Sequence, residues 1–159
     1  MSDPHVHVLH RVVQVLIFSL VPWVELRLAI PYGITKGLHP LLALLAAVVA
    51  SWAAIVPMFL VLDLFYQRFF SRIPLVRQSV EAIRIHGHTY VERWGVLGVG
   101  IYVSLPLPGP GIYSGTILAW LFGLPRKQAI VALALGTLVS AILVTAISTP
   151  VILLIRMFR

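Results

Sequence analysis

The sequence contains no cysteine and only five acidic residues among 159. The absence of cysteine excludes disulfides, thiol catalysis and zinc–thiolate sites. Charged residues make up only 11% of the chain and hydrophobic residues 60%, whereas soluble domains average roughly 25% charged and about 45–50% apolar residues. This composition excludes a soluble globular domain and also a disordered chain. It predicts an all-α integral membrane protein.

The twelve basic residues outnumber the acidic ones and give a net charge of +7. In a membrane protein such an excess belongs to loops that set orientation and meet anionic headgroups. We therefore predict membrane lipids, and no nucleic acid, as partners. We find none of the common nucleotide-binding, hydrolase or zinc-protease motifs. The sequence thus predicts a protein that is not an enzyme and has no cofactor and no metal.

Two long stretches carry no formal charge, 38–62 and 128–155. Each exceeds the roughly 20 residues that a helix needs to cross a hydrocarbon core about 30 Å thick. Both are rich in leucine, alanine, valine and isoleucine. Each stretch predicts a full transmembrane helix.

Two other apolar stretches, 12–36 and 95–125, are interrupted. The first contains Glu25, Arg27 and two prolines and is closed by Lys36, and the second is rich in glycine and proline around 104–111. Proline removes a backbone donor and glycine favours non-helical backbone. Such backbone survives at membrane depth only where it is buried in protein or lines a wet cavity. We therefore predict two re-entrant, broken helical hairpins.

The two interrupted segments occupy matching positions in the chain. Pro22 and Pro108 are 86 positions apart, and so are Gly37 and Gly123. Each interrupted segment leads directly into one of the full spans. An odd number of crossings between two copies inverts the second copy, an arrangement common in secondary transporters. The order of elements therefore predicts an inverted repeat.

The predicted boundaries describe one membrane domain over 1–159. Its parts are a first repeat, a basic amphipathic linker and a second repeat, at about 8–62, 63–94 and 95–157. The linker alternates arginines with apolar residues, which fits either a helix lying on the membrane surface or an ordinary cytoplasmic loop. If both hairpins are re-entrant, the charge bias places both termini outside. Two spans enclose little cavity, so a homodimer is also predicted.

Glu25 and Arg27 lie inside the first interrupted segment, between two prolines. A charge at the bilayer centre costs at least about 2.5–3.5 kcal/mol, so such residues face a polar cavity or each other. At positions i and i+2 they point to different faces of a regular helix. They meet only where the backbone is non-helical; otherwise they have separate partners. We interpret Arg27 as an anion ligand and Glu25 as a proton-exchanging carboxylate. The alternative is that both stabilise the hairpin near the interface.

The second interrupted segment supplies no formal charge. Its candidate ligands are Tyr113 and the backbone around Pro108, Gly109 and Gly111, since backbone amides in such a loop bind anions. Tyr32, in the first segment, completes the predicted substrate-binding set. The alternative is that the prolines and glycines only allow the hairpins to pack closely.

These residues carry a family resemblance that covers nearly the whole chain. The motifs ELRLAIPYG at 25–33 and LPLPGPG at 105–111 resemble those of the putative small multidrug export protein family, which is related to the DedA/VTT superfamily. The resemblance implies two oppositely facing re-entrant hairpins, each packed with a transmembrane helix. It also implies a lipid-handling relative, since DedA proteins include proton-coupled carriers of lipid phosphates.

Three functions follow as hypotheses. The first is a secondary transporter or lipid flippase in the plasma membrane of a prokaryote, which moves an amphipathic, anionic substrate and is coupled to protons through Glu25. The second is export of cationic compounds, in which Glu25 is the binding carboxylate. The third is a non-transport membrane scaffold that acts through the amphipathic linker.

Overall fold

The computed structural model describes residues 4–68, 94–107 and 111–158, and within these ranges it contains helices and turns but no strand. This confirms the all-α prediction. The predicted amphipathic linker lies almost wholly outside the described residues. The six described helices are α1 Pro4–Leu20, α2 Glu25–Thr35, α3 Pro40–Arg68, α4 Val96–Ser104, α5 Ile112–Leu121 and α6 Arg126–Met157.

Helices α3 and α6 are the two long apolar helices of the described ranges. They contain 29 and 32 residues, which correspond to about 44 and 48 Å at 1.5 Å per residue. Both are long and apolar enough to cross a membrane. Pro57 and Pro150 lie inside them without ending them. The two predicted spans are therefore present as continuous helices.

The other four helices form two pairs, each interrupted at the predicted place. Helix α1 ends at Leu20 and α2 begins at Glu25, with Pro22 in the turn between them. Helix α4 ends at Ser104, and α5 begins at Ile112 beyond the proline- and glycine-rich stretch.

Helices α1 and α2 fold back on each other as an antiparallel hairpin. The rings of Phe18 and Tyr32 meet edge to face at 4.7 Å between centroids. Farther from the turn, Arg11 lies beside Gly37. A Cβ added to Gly33 would lie 2.7 Å from a methyl group of Val15, so this glycine permits the close packing.

Helices α4 and α5 form the second hairpin and lie against α6. A Cβ added to Gly115 of α5 would overlap Val103 of α4. Gly100 of α4 also faces α6 so closely that a Cβ on Gly136 would overlap its carbonyl oxygen. Small residues at such crossings let helix backbones approach each other in membranes.

The two hairpins end in the same local structure. Gly37 and Gly123 adopt the left-handed conformation, with φ of +84° and +66°. One residue later, the N–H groups of Leu38 and Leu124 each donate to the carbonyl oxygen five residues earlier, over 3.0 Å. This is the Schellman motif, which ends a helix at a glycine. It recurs 86 residues apart and starts each long helix in a matching way.

The two halves also pack crosswise, which means that a short helix of each half contacts the long helix of the other half. Helix α2 packs on α6 and α5 packs on α3, while α3 and α6 also contact each other. As a result, the core around the first hairpin includes Ala141 and Val144 of α6. The core around the second includes Ile55 and Phe59 of α3.

Charged side chains near the ends of the long helices reinforce the crosswise packing. Asp63 of α3 accepts a hydrogen bond from Nε1 of Trp120 at 2.8 Å and pairs with Arg126. Arg156 of α6 donates to the carbonyl oxygens of Ile34 and Thr35 at 3.0 and 2.9 Å. The contacts of Trp120 and Arg156 each tie a long helix to a short helix of the other half, and the pair of Asp63 with Arg126 joins the two long helices.

We predict that Gly136→Ala separates α4 from α6, because the added methyl group overlaps the Gly100 carbonyl. The free energy of unfolding in detergent, followed by circular dichroism, should fall by about 1–3 kcal/mol. Gly98→Ala is the matched control, since its Cβ would enter open space on α4. A helical glycine-to-alanine change there should be neutral or stabilising by up to about 1 kcal/mol. Equal losses in both variants would contradict this account of the crossing.

Candidate functional site

Glu25 is the first residue of α2 and directly follows the first break. It is 7% exposed and has a φ of +44°, while Trp23 in the turn has a φ of +78°. Positive φ at a non-glycine residue costs on the order of 1–3 kcal/mol and concentrates at functional sites. Because the backbone is non-helical there, the side chains of Glu25 and Arg27 meet, with 3.6 Å between Oε2 and Nη1.

The carboxylate of Glu25 reaches across to the second hairpin. The backbone N–H of Tyr113 donates to Oε1 at 3.4 Å, and the N–H of Ile112 also faces the carboxylate. These are the first residues of α5, where helical N–H groups lack intrahelical partners. The N-terminus of a helix also carries partial positive charge. Glu25 therefore stabilises the start of α5 from the other half of the chain.

Gly111 makes this approach possible. Its φ of −167° is extended backbone that any residue adopts, so conformation does not require glycine here. Space does, because an added Cβ would overlap both carboxylate oxygens of Glu25. The N–H of Gly111 is satisfied by the hydroxyl oxygen of Ser114 at 2.9 Å.

Arg27 also reaches the second hairpin. Its Nη2 donates to the carbonyl oxygen of Leu105 at 2.7 Å, one residue beyond the end of α4. Its Nε is buried and has no hydrogen-bond partner among the described residues. A guanidinium group carries five N–H donors, so Arg27 retains capacity for an acceptor that enters the site.

Tyr113 closes the contact between the two breaks. Its hydroxyl donates to the carbonyl oxygen of Leu20 at 2.5 Å, while its N–H faces Glu25. Leu20 is the last residue of α1, where carbonyl groups lack intrahelical partners. The hydroxyl of Tyr113 therefore satisfies a carbonyl freed at the first break, and its own N–H, freed at the second break, is bound by Glu25.

A cavity of about 390 Å³ lies beside this cluster. Its volume falls within the range of about 300–1,000 Å³ that is usual for small-molecule sites. Glu25 and Arg27 are the charged groups of a wall that is otherwise mostly apolar, and Trp23 stands 93% exposed beside it. The lining residues are Pro22, Trp23, Glu25, Arg27, Met58, Tyr113, Ser114 and Ile117. Such a cavity suits a molecule with a charged head and an apolar body.

The predicted site residues are not all at this place. Glu25, Arg27 and Tyr113 line the cavity, and Gly111 touches Glu25. Tyr32 lies about 10 Å farther along α2, at 1.5 Å per residue. Its hydroxyl donates to Gln14 at 3.4 Å. Pro108 and Gly109 lie outside the described residues.

Sequence reasoning did not select Met58 or Ile117, which form the apolar wall, nor the Leu105 carbonyl that binds Arg27. Met58 and Ile117 sit within uniformly apolar stretches, where no local feature marks the cavity face. The contact with Leu105 uses its backbone carbonyl, so no side-chain pattern in the sequence predicts it.

We predict that Gly111→Ala destabilises the protein through its clash with Glu25. The free energy of unfolding should fall by about 1–3 kcal/mol in the native background. The loss should be smaller when Glu25→Ala is also present, because the carboxylate is then gone. The measurement is a double-mutant cycle by chemical unfolding in detergent, with Gly98→Ala as the control in both backgrounds. If Gly111→Ala costs the same in both, the close approach is not its cause.

A family model described as "Putative small multi-drug export protein" matches residues 25–143. The match covers more than half of the chain and includes Glu25, Arg27, Gly111 and Tyr113, so the chain belongs to this family. No curated protein and no solved structure matches the chain.

Proposed function

We propose, with that family membership as the premise, that the chain is a multi-pass secondary transporter in the cell membrane of a prokaryote. In this proposal it moves an amphipathic molecule that binds between two re-entrant hairpins. The hairpins form an inverted repeat, each with its long helix as a full span. The observation that carries the proposal is the cavity in which Glu25 and Arg27 stand against an apolar wall.

The lengths of the short helices support re-entrant hairpins. Helices α2, α4 and α5 contain 11, 9 and 10 residues, or about 14–17 Å each at 1.5 Å per residue. None of them crosses a core of about 30 Å by itself. The antiparallel contacts within each pair support a chain that turns back at its break. The repeated Schellman motif and the crosswise packing support a relation between the two halves.

The contacts of the charged pair favour an anionic head group. Glu25 already faces Arg27 and the N–H groups at the start of α5. Arg27, in contrast, retains its buried and unpartnered Nε. The partial positive charge of the α5 N-terminus adds to that of Arg27. An entering anion therefore finds donors, whereas a cation must compete for a carboxylate that is already engaged.

Glu25 would couple this binding to protons. Protonation removes the negative charge 3.6 Å from Arg27 and so strengthens the attraction of Arg27 for an anion. Deprotonation restores that charge and favours release. Binding of the anion and of the proton are thus linked, and each promotes the other.

The description of the family names multi-drug export, and the second candidate is such export with cationic compounds as the substrates. In that case Glu25 is the group that binds the substrate, and Arg27 is not needed for binding. The two candidates differ in which member of the pair is indispensable.

The test uses the full chain reconstituted in vesicles with two probes, a fluorescent phosphatidylglycerol and the cation ethidium. We expect movement of the lipid probe, reduced about tenfold or more by Arg27→Ala, since a hydrogen bond to a charged group contributes about 1.5–3 kcal/mol. Glu25→Gln should abolish the response to a pH gradient. Arg68→Ala, which removes the same charge at the end of α3, should transport as the native chain does.

The outcomes separate the candidates. Ethidium movement that survives Arg27→Ala but not Glu25→Gln would favour the cation exporter. Native rates for both variants with both probes would remove the pair from the transport mechanism.

A further inference from the structure

The described residues contain two carboxylate side chains, and both already have cationic partners. Glu25 faces Arg27, and Asp63 pairs with Arg126. Among the described residues, the cations at the opposite end of α2 therefore have no carboxylate within reach. Glu25 is ten residues from Thr35, or about 15 Å along the helix.

Three of these cations gather around the last turn of α2, and each comes from a different segment. Arg156 of α6 donates to the carbonyl oxygens of Ile34 and Thr35 through Nη2. Arg11 of α1 has Nη1 3.3 Å from the position that a Cβ on Gly37 would occupy. Lys36 follows α2 directly. Like charges at one end of a helix repel each other, so the cluster favours an anion that neutralises it.

The cluster lies at the depth of the lipid headgroups. Arg126 and Arg156 are 30 residues apart on one continuous helix, a distance of about 45 Å at 1.5 Å per residue. A bilayer with its headgroup regions is about 40–45 Å thick. If α6 spans the membrane, one of these arginines lies at each surface. Arg156, and with it the cluster, is then level with phosphate groups.

We propose that Arg11, Lys36 and Arg156 bind the phosphate of an anionic phospholipid at this surface. Arg156 is held in place by the two carbonyl bonds through Nη2, and the rest of its guanidinium fork suits phosphate oxygens. Lys36 is exposed, and its Nζ lies 5.6 Å from the centroid of the Tyr32 ring, which orients the ammonium group. The site is separate from the cavity at Glu25, and the proposal stands whether or not the chain is a transporter.

The test is native mass spectrometry of the full chain in detergent with dioleoylphosphatidylglycerol, dioleoylphosphatidylcholine and inorganic phosphate as probes. We expect the native chain to retain phosphatidylglycerol in preference to phosphatidylcholine. Each cation near an anionic surface strengthens binding about fivefold. Lys36→Ala should therefore weaken phosphatidylglycerol binding about fivefold, and Arg11→Ala with Lys36→Ala about twenty-five-fold. Arg156 stays unchanged because it also caps α2.

The control pair, Arg68→Ala with Lys127→Ala, removes two exposed cations. They lie at the end of α3 and the start of α6, which are the helix ends away from the cluster. It should bind phosphatidylglycerol as the native chain does. Three results would each overturn the proposal: native binding by the Arg11 and Lys36 variants, equal loss in the control pair, or equal retention of the two lipids. Displacement of the lipid by inorganic phosphate would show a site for a free anion and overturn the lipid assignment.

Discussion

A helix broken at membrane depth must find partners inside the protein for the backbone groups that the break frees. Here each break is satisfied by the other. The carbonyl of Leu20 accepts the Tyr113 hydroxyl, that of Leu105 accepts Arg27, and the first N–H groups of α5 face Glu25. Neither hairpin satisfies its own freed backbone groups, because the groups that bind them belong to the other half. These contacts hold the two breaks together and place Glu25 and Arg27 where their charges are stabilised.

The charged pair therefore has a structural role and, in the proposed function, a binding role as well. An anion that engages Arg27 shares the guanidinium group with the Leu105 carbonyl, which is bound through Nη2. Protonation of Glu25 weakens its hold on the start of α5, because a neutral carboxyl is a poorer partner for a helix N-terminus. Occupancy and protonation thus act on the contacts that join the two breaks. That is the kind of coupling between site and conformation that transport requires.

The sequence predicted the elements that local chemistry determines. Uninterrupted apolar stretches identified α3 and α6, and proline and glycine located both breaks. The meeting of Glu25 with Arg27 was predicted for non-helical backbone, and Glu25 has that backbone. Contacts between distant segments could not be predicted, because uniformly apolar helices do not show which face meets which. The placement of Tyr32 illustrates this, since α2 continues through Pro31 and carries Tyr32 away from the break.

Glu25 and Gly111 are themselves 86 positions apart, the same separation as Gly37 and Gly123. Under an inverted repeat, equivalent residues near the axis that relates the halves come close to each other. Two carboxylates there would repel, and two side chains would not fit the space that one of them fills. The chain has a carboxylate in one copy and no side chain in the other, and the carboxylate occupies the space beside the glycine. Under that arrangement the two halves would have to differ in chemistry at this point, and they do: the first break supplies the charge, and the second supplies space and backbone donors.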